Sequence, residues 1–171
     1  MVSGCASGVG KGLRLEFLTQ GCTVFAGVRS LDAVNDTKHP QLRPVKLDVN
    51  SASDIEQCIN SIKQEFGQLD MLINNAGFAA MGPLTELSQQ KLQQQFNTNC
   101  FAPILLTQAA LPLLKVSKRA KVVNIGSVSG IMSTPFAGAY CASKAALHAL
   151  SDALRLELTP FNIDVITVQP G

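Results

Sequence analysis

The feature that most constrains the fold of this chain is the alternation of short apolar runs with longer segments of helical periodicity. Buried parallel strands form continuous apolar runs, and each needs a helical crossover to reach the next. Joined by short loops and without internal repeats, these segments predict an α/β fold, a three-layer, doubly wound parallel sheet in a single domain. Strand candidates lie at residues 22–28, 42–49, 69–73, 121–125 and 163–168, and helix candidates around residues 13–18, 55–66, 85–95, 97–116 and 139–158.

Composition argues against two classes of partner. The chain has 171 residues, of which 46% are hydrophobic and 15% charged, and a net charge of +2, a balance typical of a globular domain with a real core. The basic residues are scattered and the single Tyr offers no aromatic platform, so we expect no nucleic-acid partner. The most apolar stretch, residues 101–114, contains two prolines and is too short to span a bilayer, so we expect no membrane insertion.

The cysteines indicate a compartment. There are five, an odd number, widely spaced and without a Cys-x-x-Cys pair, and only two histidines accompany them. This pattern favours reduced thiols in a cytoplasmic setting and predicts no metal site. Each cysteine is expected to be a small buried hydrophobic residue.

A glycine-rich segment opens the chain. It runs Ser3-Gly4-Cys5-Ala6-Ser7-Gly8-Val9-Gly10 and is followed by apolar residues at helical spacing. Such a loop lets backbone N–H groups approach a pyrophosphate at the positive end of a helix. Its spacing, Gly-x-x-x-Gly-x-Gly, differs from the Gly-x-Gly-x-x-Gly fingerprint. Because glycine loops also serve as ordinary tight turns, the segment alone is weak support for a dinucleotide site.

The end of the run at residues 22–28 carries information about the cofactor. Val28 is followed by Arg29, and no carboxylate occurs before Asp32. In a doubly wound fold this position lies near the adenosine ribose, where an acidic residue suits the 2′-hydroxyl and a cation suits the 2′-phosphate. Arg29 therefore favours NADP(H) over NAD(H). The alternative is a solvated arginine at a strand end.

Polar residues follow two further strand candidates. Asp48 ends one, and Asn74-Asn75-Ala76-Gly77 follows the next. Small residues and amides at the carboxyl end of a strand fit a place where backbone approaches a ligand, although an ordinary Asn/Gly turn is the alternative. Asn99 is a polar residue in an otherwise apolar helix candidate. By itself it is more typical of a helix cap or a hydrogen-bonded core amide than of a catalytic group.

Tyr140, Lys144 and Ser127 form the pattern with the most chemical content. In a helix, positions 140 and 144 project from one face about one turn apart, so a phenol and an ammonium can share a site. A free phenol titrates near pH ~10, and a neighbouring cation favours its ionised form, which suits proton transfer closer to neutral pH. Ser127, thirteen residues before Tyr140, adds a hydroxyl that can hold the oxygen being protonated. The spacing alone is also one that chance can produce.

Taken in order, these motifs resemble the short-chain dehydrogenase/reductase family, whose members have a Rossmann-like fold. The likeness extends from Ser3 to Gly171. It rests on the glycine loop, the Asn-Asn-Ala-Gly run, the lone helix asparagine, the Ser and Tyr-x-x-x-Lys spacing and the closing Pro-Gly.

The resemblance implies catalytic roles for four residues. Tyr140 is the expected general acid in carbonyl reduction, or the base in alcohol oxidation. Ser127 is expected to hydrogen-bond the substrate oxygen, and Lys144 to support Tyr140 and bind the nicotinamide ribose. Asn99 is expected to hold a water that links Lys144 to solvent.

The resemblance also implies a cofactor site, with NADP(H) preferred through Arg29 and a hydride that comes from the nicotinamide. The expected cofactor-binding residues are Gly4, Ser7, Gly8, Val9, Gly10, Arg29, Asp48, Val49, Asn75, Ala76, Gly77, Tyr140, Lys144, Pro170 and Gly171.

Departures from the family pattern lie mainly at the ends. Ser3, Ala102 and Gly126 stand where the family usually has Thr, Gly and Ser, and none of these changes removes a reacting group. Two or three residues precede the glycine loop, and the chain stops at Pro170-Gly171, whereas family members continue through a substrate-covering loop, a helix and a last strand. Residues 1–171 are therefore expected to be a dinucleotide-binding catalytic domain that is incomplete at its C-terminus.

The leading hypothesis is hydride transfer between NADP(H) and a carbonyl or alcohol. The loops expected at the substrate hold Phe78, Met81, Ile131, Met132 and Phe136, which suggests an apolar ketone, steroid-like or lipid-derived, unless these residues pack in the core. Two alternatives are a non-catalytic dinucleotide-binding or scaffold module and an inactive fragment. The expected assembly is a homodimer or homotetramer. His148, one turn beyond Lys144, is expected to serve packing or a subunit contact.

Overall fold

The computed structural model describes all residues 1–171 and contains a six-stranded parallel sheet in the order β3-β2-β1-β4-β5-β6. The doubly wound α/β fold is therefore confirmed. The strands are β1 (Val2–Ser3), β2 (Val24–Val28), β3 (Leu42–Lys46), β4 (Met71–Asn74), β5 (Ala120–Ile125) and β6 (Ile163–Val168), and the helices are α1 (Gly8–Thr19), α2 (Ala52–Glu65), α3 (Gln89–Phe96), α4 (Ala102–Leu114) and α5 (Gly138–Leu158).

The strand order reverses beside β1, which pairs with β2 on one side and with β4 on the other. In open parallel sheets the ligand crevice lies at such a switch point, outside the carboxyl ends of the strands. Those ends are Ser3 in β1 and Asn74 in β4, so the glycine loop and the Asn-Asn-Ala-Gly run leave the sheet side by side.

Two apolar cores hold the helices against the sheet. The larger joins Ile62 of α2 and Leu106 of α4 to Leu72 and Val122, and the smaller joins Leu18 of α1 to β1 and β2. Every residue of β2 is buried, as its unbroken apolar sequence predicts. On β6, Ile166 and Val168 face away from the larger core and remain about 40% exposed. None of the helices combines the length and apolar character needed to cross a bilayer.

The helical segments differ from the sequence prediction in two ways. The predicted helix 85–95 begins at Gln89, because the Ser88 hydroxyl accepts a hydrogen bond from the Lys91 amide and so marks the helix start. The predicted break before residue 97 is absent. Instead, a five-residue π turn, Asn97–Phe101, joins α3 to α4 without an interruption. Such wide turns occur frequently at functional sites, and this one contains Asn99.

The cysteines follow the prediction with one exception. Cys5, Cys58, Cys100 and Cys141 are buried and none of the five forms a disulfide, but Cys22 is exposed. Burial raises the pKa of the Cys5 and Cys58 thiols to about 11, so both remain protonated at neutral pH. Histidine, cysteine and acidic side chains do not converge in any group of three that would suit a metal ion.

A buried hydrogen-bonded chain connects the sheet to α4 and α5. Asn74 Nδ2 donates to Asn124 Oδ1 at 2.8 Å and also lies 3.3 Å from Thr107 Oγ1. Asn124 Nδ2 donates to Ser151 Oγ at 2.8 Å, and Ser151 Oγ donates to the Leu147 carbonyl at 2.7 Å. Asn74 ends β4 and precedes the turn at residues 75–77, so this network fixes the strand end on which that turn is built.

We expect Asn124→Ala to lower the free energy of unfolding by about 2–3 kcal/mol, because it removes two buried hydrogen bonds and leaves Asn74 and Ser151 short of partners. The measurement is urea unfolding followed by circular dichroism. Asn60, an exposed residue inside α2, supplies the control, and Asn60→Ala is expected to change stability by only a few tenths of a kcal/mol. Equal stability of the two variants would contradict the proposed importance of the network.

Candidate active site

A cavity of about 670 Å³ lies where the carboxyl ends of β1 to β4 meet. It brings together segments that are far apart in the sequence, and ten of the expected cofactor residues line it. These residues are Gly4, Ser7, Val9, Gly10, Arg29, Asp48, Val49, Asn75, Ala76 and Gly77. Gly8 is not among the lining residues, although it begins α1 beside them.

The glycine loop needs glycine where it meets the turn after β4. Gly4 has a φ of +71°, and a Cβ there would lie 2.9 Å from Ala76 Cα. A Cβ on Gly10 would overlap the Gly4 carbonyl and the Asn75 amide nitrogen. Asn75 Nδ2 uses this space to donate to the carbonyls of Ser3 and Gly4, each at 3.0 Å. The Ser3 hydroxyl accepts from the amides of Asn75 and Ala76, so the two loops form one rigid edge.

The N-terminus of α1 is open to an anion. Ser7 stands at the N-cap but makes no capping hydrogen bond, and the first turn carries no acidic side chain. By contrast, Ser51 and Ser88 cap α2 and α3 by accepting from amides of the first turn. The uncapped N–H groups of α1 therefore keep their hydrogen-bonding capacity for a ligand. Their position in the cavity and the lack of competing carboxylates fit a pyrophosphate.

Arg29 and Asp48 lie at the far side of this cavity. The Arg29 side chain is exposed and has no hydrogen bond or ion pair with the protein, so its guanidinium is available to an anionic group. Asp48 has a structural role as well, because its carboxylate accepts from the Asn50 amide at 2.9 Å. Asn50 and Thr98 also line the cavity and are joined by a 2.9 Å hydrogen bond. This pair could not be predicted from the sequence, because Asn50 and Thr98 are 48 positions apart.

A second cavity, of about 440 Å³, holds Ser127, Tyr140 and Lys144 together with Pro170 and Gly171. It shares four lining residues with the first cavity, so the two adjoin. The shared residues are Val9, Asn75, Gly77 and Phe78. The expected catalytic groups thus lie next to the expected cofactor groups. A third cavity, of about 320 Å³ and mainly apolar, is at the amino ends of the strands, near Met1 and Met71, away from this chemistry.

Lys144 is held in a buried position beside Tyr140. Its side chain is only 6% exposed, and Nζ donates to the Ile125 carbonyl at 2.6 Å and lies 5.8 Å from the centre of the Tyr140 ring. Burial lowers the pKa of the Lys144 amine from 10.5 to about 8. The amine is therefore still mostly protonated at pH 7 and begins to lose its charge under mildly alkaline conditions.

The Ser127 hydroxyl has one hydrogen-bond direction free. Its Oγ accepts from the Ser129 amide at 3.1 Å, at the start of a short 3₁₀ turn (Val128–Gly130). The hydroxyl proton has no acceptor within the protein, so it can be donated to an oxygen in the cavity. The Val128 amide in turn donates to the Pro170 carbonyl at 3.0 Å, which ties the Ser127 turn to the end of the chain.

Asn99 contacts the loop after β4 and the helix α5 through its side chain. Its Nδ2 donates to the Phe78 carbonyl at 2.9 Å and to Ser143 Oγ at 3.2 Å, and its Oδ1 accepts from the Phe78 amide. Gln95, one turn earlier and fully buried, also donates to the Phe78 carbonyl. Asn99 is thus a buried core amide that holds the wall shared by both cavities, and its Oδ1 accepts one hydrogen bond of the two it can accept. Gln95 could not be identified from the sequence, because nothing in the sequence distinguishes it from the neighbouring glutamines.

The apolar residues of the two loops expected near the substrate do not pack in the core. Phe78 lines the second cavity, while Met81, Ile131, Met132 and Phe136 are each at least 60% exposed. The two loops that carry them are linked, because the Gly82 amide donates to the Phe136 carbonyl at 2.7 Å. Of the two explanations for these residues, core packing is therefore wrong.

Comparison with known proteins gives consistent results. The sequence model of the family described as short chain dehydrogenase matches residues 1–171. A 3-ketodihydrosphingosine reductase of Bacteroides thetaiotaomicron is 35% identical over the whole chain, and an NADPH-dependent 3-dehydrocapnine reductase of Ornithobacterium rhinotracheale is 36% identical. The chain spans 62% and 64% of the lengths of these relatives. A crystal structure of a short chain dehydrogenase from Burkholderia cenocepacia in complex with NADP superposes with a TM-score of 0.91 at 30% identity, covering 99% of this chain and 70% of that one.

Proposed function

The chain belongs to the short-chain dehydrogenase/reductase family, and from this premise we propose that it transfers hydride between NADP(H) and a carbonyl or alcohol substrate. The observation that carries the proposal is the placement of Ser127, Tyr140 and Lys144 in one cavity that adjoins the glycine-loop cavity. In carbonyl reduction the nicotinamide gives hydride to the substrate carbon and a proton donor gives a proton to the attached oxygen. The two groups must therefore lie close together, as they can in two adjoining cavities.

Three side chains divide the work of proton transfer. Tyr140 holds the proton that the substrate oxygen takes up during reduction, and accepts it during oxidation. Ser127 donates a hydrogen bond to the same oxygen, keeps its own proton, and stabilises the negative charge that develops there. The positive charge on Lys144 Nζ, 5.8 Å from the centre of the Tyr140 ring, stabilises the negative charge left on the phenol oxygen after the proton has been transferred. Water around Asn99 is the proposed route by which the proton returns from solvent.

The residues around the first cavity are proposed to bind and orient the cofactor. The open N-terminus of α1 and the backbone of Gly4 and Gly10 would hold a pyrophosphate, Asp48 and Val49 would contact an adenine, and Arg29 would bind a 2′-phosphate. Asn75 to Gly77, Pro170 and Gly171 flank the nicotinamide half, and Lys144 binds its ribose. The bound nicotinamide supplies or accepts the hydride.

Arg29 supports the preference for NADP(H). It is a free cation at the carboxyl end of β2, and no carboxylate lines the adjacent wall before Asp48. One relative is named as NADPH-dependent, and one similar structure is described as a complex with NADP. Both facts concern those proteins, and they agree with the charge found at this position.

We expect Arg29→Ala to weaken NADPH binding by about 10- to 100-fold and to leave NADH binding nearly unchanged, because only NADPH carries the 2′-phosphate that a charged hydrogen bond would recognise. The dissociation constants for NADPH and NADH are measured by fluorescence titration of the nucleotides. Arg119→Ala is the matched control, since it removes the same charge from an exposed site just before β5, outside both cavities. Tighter binding of NADH than NADPH by the unaltered chain would refute the assignment.

An apolar carbonyl compound is the proposed substrate class. Phe78 borders the cavity, and the exposed Met81, Ile131, Met132 and Phe136 lie on the two linked loops beside it. Apolar side chains at the mouth of a site favour ligands with hydrocarbon surface, such as lipid-derived or steroid-like ketones. The relative named as 3-ketodihydrosphingosine reductase acts, by its name, on a lipid-derived ketone.

The function is tested by following NADPH oxidation by the full chain with a panel of ketones that differ in hydrocarbon length. We expect kcat/KM to rise with apolar length. If NADPH binds but no carbonyl compound is reduced, the chain is a non-catalytic dinucleotide-binding module, and failure to bind NADPH as well would identify an inactive fragment.

Assembly and location complete the proposal. A homodimer or homotetramer would cover Phe101 and Leu105, which are about half exposed on the helix that contains α4. A cytoplasmic setting would keep the five thiols reduced.

A further inference from the structure

The imidazole of His148 fits between two glycines of the loop that carries Ser127. A Cβ on Gly126 would overlap the His148 ring, with Cδ2 at 2.9 Å, and a Cβ on Gly130 would overlap its other side, with Nδ1 at 2.8 Å. The absence of side chains on both sides of Ser127 therefore creates the space that the ring fills. His148 is half-buried on α5, on the face shared with Tyr140 and Lys144.

His148 also contacts Ser127 through a hydrogen bond. The Ser127 amide donates to Nε2 at 3.4 Å, so Nε2 carries no proton and a neutral ring has its proton on Nδ1. Ser127 has an extended backbone, with φ −171° and ψ 153°, and its hydroxyl begins the 3₁₀ turn. The amide and the hydroxyl belong to one residue, so an anchor on the amide also limits where the hydroxyl can point.

We propose that neutral His148 is a positioning residue, which anchors the Ser127 amide and thereby fixes the Ser127 hydroxyl toward the substrate oxygen. This inference rests on the proposed function, because it assigns His148 a part in the carbonyl chemistry of that site. His148 itself lines neither cavity. It acts through Ser127 and touches no reacting atom.

The charges around His148 favour the neutral ring. Burial is the main cause that lowers the pKa of His148 below its usual 6.5, and the Lys144 amine lowers it further, while Asp152 opposes both. Lys144 and Asp152 are on α5 itself, and the loop at 126–130 contributes no titratable side chain. Since the pKa is lower in the folded state than in the unfolded state, folding stability falls as the pH drops through 6.5 toward the folded-state value. Protonation also removes the acceptor of the Ser127 amide.

The anchor is tested directly by nuclear magnetic resonance on the ¹⁵N-labelled chain. We expect the Nε2 resonance of His148 to be that of an unprotonated nitrogen at pH 7, and the Ser127 amide proton to shift as His148 titrates. A protonated Nε2 at pH 7, or a Ser127 amide that does not respond to this titration, would overturn the proposal. This readout needs no turnover.

Two variants test the consequence for catalysis. His148→Leu keeps the bulk but removes the acceptor, and we expect kcat to fall about tenfold while the dissociation constant for NADPH stays within about twofold. His148→Gln keeps an acceptor near the position of Nε2, so kcat should largely recover. Glutamine does not titrate, so the part of the decrease in kcat at acidic pH that is due to His148 should be absent in this variant. Unchanged kcat in His148→Leu, or an equal loss in both variants, would contradict the positioning role.

His39 provides the matched control. Its Nδ1 also accepts a backbone amide, from Gln41 at 3.2 Å, but in the turn before β3, outside both cavities. His39→Leu should therefore leave kcat and its pH dependence unchanged. If the unaltered chain reduces no carbonyl compound, the proposed function fails, whereas the resonance of the Ser127 amide still decides whether His148 anchors it.

Discussion

Tyr140→Phe is expected to lower kcat for carbonyl reduction about 1000-fold, because it removes the phenolic proton and changes little else. Tyr140 is half-buried in the second cavity, beside Ser127 and Lys144, and no protein group hydrogen-bonds to its hydroxyl. The hydroxyl is therefore free for the substrate, and its loss leaves no buried partner unsatisfied. Phenylalanine keeps the ring, so the packing against Lys144 at 5.8 Å is retained.

The measurement is steady-state NADPH oxidation with the best ketone of the panel, together with NADPH affinity and thermal unfolding. Both of the latter are expected to match the unaltered chain, which separates a missing proton donor from a misfolded site. Turnover within about threefold of the unaltered chain would show that another group supplies the proton. A fall in NADPH affinity as large as the fall in kcat would instead show that the main role of Tyr140 is to hold the cofactor.

The fold was largely predictable because apolar runs and helical periodicity determine it directly. β2 is buried at every position, and β6 has the predicted bounds of Ile163–Val168. The predicted helix boundaries differ from the structure where a local hydrogen bond or a wider helical turn determines where a helix begins or ends. Ser88 starts α3 four residues later than predicted, and the π turn makes α3 and α4 continuous. Periodicity at 3.6 residues does not describe a π turn, so the sequence pattern suggested a break.

The candidate site was predictable as a set of residue types but not as a set of contacts. The glycine loop, Tyr140 and Lys144 each have a spacing that indicates chemistry. Asn99 was identified by its polarity, yet its partners, Phe78 and Ser143, depend on a turn whose position only the folded chain reveals.

Arg14 illustrates a second limit on prediction. Its side chain is fully buried in α1, and its guanidinium pairs with Asp36 at 2.8 Å, which also binds Lys11. The hydrogen bond from Lys11 is the main cause that lowers the pKa of Asp36 to about 2. A charged residue in a helix normally indicates an exposed face, and its burial here depends on a partner 22 positions away. The pairing fastens the segment after Arg29 to α1.

Gly10→Ala is expected to cost about 2–3 kcal/mol of folding stability and to abolish measurable NADPH binding, because the added methyl has no space. It would overlap the Gly4 carbonyl oxygen, lie 2.9 Å from the carbonyl carbon and press on the Asn75 amide. These are backbone atoms and a side chain with two hydrogen bonds of its own, so no flexible group can move aside. Relief requires the glycine loop to separate from the turn after β4, which opens the site that both segments build.

Gly12→Ala, two residues later in the same helix, is the matched control for Gly10→Ala. A Cβ on Gly12 meets nothing within 4 Å, and the position is exposed within α1. Alanine is the better helix former there, so this variant is expected to gain about 0.5–1 kcal/mol and to bind NADPH normally. Urea unfolding and nucleotide titration on both variants compare the same chemical change in two environments. If Gly10→Ala bound NADPH as well as Gly12→Ala does, the close contact between the glycine loop and Asn75 would not be what shapes the cofactor site.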